Sequence, residues 1–76
     1  MIGERIGIFL NKKGISGYRA AKDTGISAQV ISAYLTGKRD PSGDMLSKFL
    51  LTYPELNADW LLTGRGEMLI KVAAGS

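Results

Sequence analysis

The reactive side chains in this sequence are amides, hydroxyls and cations, without the partners that would make them catalytic. The 76 residues contain no histidine and no cysteine, which excludes an imidazole base, a zinc knuckle and a disulfide. Serine, tyrosine, lysine and aspartate occur with no nucleophile elbow, phosphate-cradling loop or paired carboxylates around them. An enzyme is therefore not expected, nor a metal or cofactor. What remains is recognition chemistry in one stretch: Ser27, Ala28, Gln29, Ser32 and Ala33, then Lys38, Arg39 and Ser42. The Gln29 amide can donate to N7 and accept from N6 of adenine in a major groove, a pairing worth about 1–3 kcal/mol of discrimination. Ala28 and Ala33 suit thymine methyls. Ser32 suits base or phosphate, while Ser27 suits phosphate and also a helix N-cap. Lys38, Arg39 and Ser42 suit phosphate, and Arg19 is a further cation for the backbone.

The net charge of +3 is unevenly spread. Between residues 12 and 39, Lys12, Lys13, Arg19, Lys22, Lys38 and Arg39 face Asp23 alone, while acids outnumber cations in the rest of the chain. A basic middle in a neutral-to-acidic frame suggests one face built for an anionic partner. No apolar run approaches the ~18–20 residues of a membrane span, and residues 1–5 lack the form of a signal peptide. A cytoplasmic location, with no membrane partner, is expected.

Five helices can position these groups. Ile2, Ile6, Phe9 and Leu10 form a buried stripe, with Lys12 and Lys13 in its last turn and Gly14 after it. Ser16 caps a short second helix carrying Tyr18, Ala20 and Ala21 and closed by Gly25. Tyr18 reads as core, the alternative being a hydroxyl reaching phosphate. Ser27 caps a third helix with Ile31, Tyr34 and Leu35 on one face, which leaves Gln29, Ser32, Ala33 and Thr36 outward and Ala28 at the N-terminal edge. Ser42 caps a fourth helix through Met45, Leu46, Phe49, Leu50 and Tyr53, stopped before Pro54. Asn57 opens a short fifth helix ending at Gly64. Phe9, Phe49 and Trp60 read as core, so stacking on single-stranded nucleic acid is disfavoured. Residues 68–72 alternate weakly but are too isolated for a sheet and have no core partner assigned.

The most informative spacing joins the second and third helices. Ala21 is small where two helices must meet, Gly25 can take the left-handed conformation, and Ile31 returns apolar bulk to the junction. With Ile26 between them, these residues resemble the helix-turn-helix of the Cro and lambda-repressor family, the xenobiotic-response-element type. The resemblance runs from Ile6 to Gly64. It includes Gly25-Ile26-Ser27, Gly37-Lys38-Arg39, Pro41-Ser42 and the segment at 57–64, and the ending at 60–68 is similar to phage-type repressors. It implies an all-α fold, a compact five-helix lambda-repressor-like DNA-binding domain with a short C-terminal tail. The domain is expected at 1–66, with its helix-turn-helix core at 16–36 and a tail or linker remnant at 67–76. No self-cleaving peptidase domain, which can follow in phage repressors, is expected here. The family also places phosphate contacts after the third helix and at the start of the second, where this chain carries Gly17 in place of a common glutamine.

The resulting expectation is a sequence-specific regulator of transcription, of phage-repressor type, that reads double-stranded DNA with residues 27–36. One recognition helix reads few base pairs, so a homodimer on a palindromic operator is expected, with half-sites about 34 Å apart. The fifth helix and residues 68–72 are the candidate dimer contact, a linker remnant being the other reading of the tail. The alternative function is a protein-interaction module of antitoxin or anti-repressor type on the same fold.

Overall fold

Polar side chains set where the helices begin. The computed structural model describes residues 2–70 and contains α1 (Ile2–Lys13), α2 (Gly17–Thr24), α3 (Ala28–Leu35), α4 (Gly43–Thr52) and α5 (Ala58–Thr63). Ser16, Ser27 and Ser42 each accept a hydrogen bond from a backbone N–H in the next turn, at 3.0, 3.2 and 3.3 Å. Asn57 does the same for the Asp59 N–H at 3.1 Å. These contacts satisfy amides that a helix start otherwise leaves open. The four helices α2 to α5 thus begin where the sequence predicts.

The core gathers one face of every helix. Ile6, Phe9 and Leu10 of α1 pack with Ala20, Ile26, Ile31, Tyr34, Phe49, Tyr53, Leu56 and Leu61. The Phe9 and Tyr53 rings lie 5.3 Å apart at 58°, and the Phe49 and Tyr53 rings 6.4 Å apart at 32°. Tilted pairs of this kind add to burial, which stabilises by about 1.5–3 kcal/mol for each large apolar side chain. Gly3 allows α1 to cross α3. A Cβ there would run into the Tyr34 carbonyl oxygen, so only glycine permits this approach. Arg5 ties α1 to α5, its Nη1 donating to the Leu61 carbonyl at 3.0 Å.

Four side chains depart from the sequence expectation. Tyr18 is 76% exposed, not core, because α2 buries its Ala20 and Thr24 face and turns Tyr18 to solvent. Trp60 is only half-buried, at the edge of the cluster that encloses Phe9 and Phe49. Met68 and Leu69 do have a core partner. Leu69 pairs with Leu56 in an isolated antiparallel bridge, and both residues pack against the core. The Asn57 N–H donates to the Met68 carbonyl at 2.9 Å, the Ile70 N–H to the Glu55 carbonyl at 2.8 Å, and Asn57 Nδ2 to the Glu67 carbonyl at 2.8 Å. Val72, included in the same expectation, lies outside the described residues, as do 71–76 as a whole.

Candidate nucleic-acid interface

The turn between α2 and α3 is built from three residues. Gly25 adopts φ 79°, and its N–H closes α2 on the Ala21 carbonyl at 2.9 Å. A side chain at that φ would be strained. The buried Thr24 hydroxyl donates to the Ala20 carbonyl at 2.7 Å and accepts from the Ile26 N–H at 3.2 Å. Ile26, thus held, enters the core beside Ile31. Ala21 is half-buried and packs against the core. Thr24 escaped the sequence reading because a threonine near a helix end has no distinctive spacing.

This turn fixes which face α3 presents. Ile31 and Tyr34 are buried, whereas Ala28, Gln29, Ser32 and Thr36 are exposed and Ala33 is half-buried. The outward face is small and polar, the shape a helix needs to seat against base edges. Thr36 donates its hydroxyl to the Ser32 and Ala33 carbonyls at 3.0 and 3.3 Å. Gln29 stands in the first turn with its amide in solvent. Ser27 uses its oxygen as acceptor for the Val30 N–H, so its proton remains available to an anion.

The phosphate candidates are not all gathered together. Lys38 and Arg39 are anchored to α3 because both N–H groups donate to the Ala33 carbonyl, at 2.9 and 3.2 Å. Among the described residues neither side chain forms an ion pair, so both charges face solvent. Ser42 caps α4 between the exposed Asp40 and Asp44, anions that weaken the pull of that helix start on a phosphate. Arg19 lies toward the α4 side of α2, through its contact with Asp23. The Gly17 edge of α2 rests on Ile31 and Leu35 of α3, while its Asp23 edge meets Tyr53 after α4. Arg19 Nε bonds both Asp23 carboxylate oxygens, at 3.2 and 3.4 Å. The Tyr53 hydroxyl donates to Asp23 Oδ2 at 3.3 Å. Burial, and next the Asp23 charge, push the Tyr53 phenol up to about 12. The Arg19–Asp23 spacing of four is legible in the sequence, but the link to Tyr53, thirty residues on, is not.

Among the described residues no helix is long and apolar enough to cross a membrane. No match was found among curated proteins or among solved structures. A family model described as helix-turn-helix matches residues 6–61. That span takes in both helices of the motif, the turn set by Thr24 and Gly25, and the supporting helices around it. By sequence match and by architecture, the chain belongs to the helix-turn-helix family of the Cro and lambda-repressor type.

Proposed function

We propose that this chain is a sequence-specific, double-stranded-DNA-binding transcription regulator of phage-repressor type, working in the cytoplasm and reading the major groove with α3. The family is one of DNA-binding regulators. The observation that carries the reading is the two-sided character of α3, with Ile31 and Tyr34 locked in the core and Ala28, Gln29 and Ser32 presented to solvent. In this reading Gln29 pairs with adenine, Ala28 and Ala33 meet thymine methyls, and Ser32 contacts a base. Ser27, Lys38, Arg39 and Ser42 hold the backbone. Two copies bind a palindromic operator as a homodimer through α5 and the edge at 67–70, where Leu62 and Ile70 are exposed. No cofactor is required, and the domain at 1–66 supplies the DNA contacts.

Fluorescence anisotropy with a randomised duplex pool, at low and moderate salt, tests this. Replacing Lys38 and Arg39 together by alanine should weaken binding to all sequences and flatten the log–log salt slope by about 1.8, two phosphate contacts at ~0.9 each. Gln29→Ala should chiefly relax selection at one position. The second reading, a protein-interaction module, draws on Tyr18 and Leu51, 76% and 83% exposed, as outward apolar surface. Wild-type protein with no salt-sensitive duplex binding would favour that reading over DNA recognition.

A further inference from the structure

Asp23 is the one acid between Lys12 and Arg39, and it is held from two sides. Arg19 Nε reaches both of its oxygens, and the Tyr53 hydroxyl bonds Oδ2. An exposed i, i+4 ion pair is by itself a weak hold on an arginine, since solvent screens it and both side chains lose freedom. Here the carboxylate is not free to drift. Tyr53 is only 6% exposed, and its ring is wedged against Phe9 and Phe49. The Asp23 side chain keeps 30% of its surface in solvent, against 69% for Arg19. An anchored anion thus holds a largely exposed cation on the flank of α2 that faces α4.

We infer that Asp23, anchored by Tyr53, is an internal counter-anion that keeps Arg19 out of the set of cations neutralising the DNA backbone. The inference rests on the DNA-binding reading and deepens it. Lys38 and Arg39 have no acid gripping them among the described residues and stay committed to phosphate. Arg19 is the latent member of the set. Binding to any duplex grows tighter and more salt-dependent with each phosphate neutralised. Holding one arginine in reserve therefore limits the sequence-independent part of the affinity, while the Gln29 contacts are untouched.

The test measures anisotropy on one fixed, arbitrary duplex across a salt series, with thermal melts by circular dichroism confirming that each variant is folded. Arg19→Gln alone should change affinity by less than about 2-fold and leave the salt slope unchanged, because the held guanidinium neutralises no phosphate. Asp23→Asn should tighten binding about 3- to 10-fold and steepen the slope by about 0.9. The double variant Asp23→Asn/Arg19→Gln should return to the wild-type slope, and Asp23→Glu, which keeps the charge, should stay near it. A fall in slope for Arg19→Gln alone overturns the inference, as does a gain from Asp23→Asn that persists without Arg19. Either result, with salt-dependent binding by the wild type, leaves the DNA reading standing. A wild type with no salt-dependent binding overturns both.

Discussion

A single missing methyl group at Gly3 decides how closely α1 and α3 approach. Gly3→Ala would drive a Cβ into the Tyr34 carbonyl, so this variant should lose at least about 2 kcal/mol in a urea melt, despite the ~1 kcal/mol that alanine gains in helix propensity. Gly43 has nothing within 4 Å of its Cβ position. Gly43→Ala should therefore be neutral or stabilise by up to about 1 kcal/mol. Neither sign was legible in the sequence, because a glycine at a helix crossing and one at an open helix start look alike until the crossing partner is known. Tyr53 gives a pH-dependent expectation. Its folded pKa of about 12 lies above the ordinary 10, so the native state holds the proton more tightly. That contribution is complete below pH 10 and is lost as pH rises through 12. Denaturation midpoints between pH 9 and 12 should fall by the equivalent of about 1–2 kcal/mol, and Tyr53→Phe should flatten this part of the curve.

The helices themselves were largely readable, because the signals that start and stop them are local. Ser16, Ser27, Ser42 and Asn57 each cap within three residues, and Gly25 and Gly64 close α2 and α5 in the left-handed conformation. Ser27→Ala should cost about 1 kcal/mol of stability through the lost Val30 contact, measurable in the same melt. Faces were read less well than ends. In the eight residues of α2, Tyr18 read as core for its aromatic ring, whereas α3 lies against Gly17 and the Ala20 and Thr24 side enters the core. The strap at 67–70 was not legible, because its bridge to Leu56 spans a separation over which no sequence pattern acts. Leu69→Ala should destabilise the domain by about 1–2 kcal/mol, as expected for a half-buried side chain.

The described residues span 35 × 25 × 23 Å, with a radius of gyration of 11.7 Å. Two copies of that breadth fit side by side on major grooves one helical turn apart, about 34 Å. The basic stretch between 12 and 39 contains the helix-turn-helix, and one of its cations, Lys13, is paired with Glu55 at 3.3 Å. At this scale the family and the all-α architecture were readable from the motif spacing, since helix-turn-helix geometry constrains several residues jointly. The distribution of the phosphate candidates was not, because it depends on which flank of α2 meets α4. The most direct measurement is a footprint by two-dimensional 1H–15N NMR, with wild-type protein titrated by the duplex selected from a random pool. The largest amide shifts are expected at Ala28, Gln29, Ser32, Ala33, Lys38 and Arg39. Largest shifts on α1, or no shifts on α3 at saturation, would contradict DNA reading by α3.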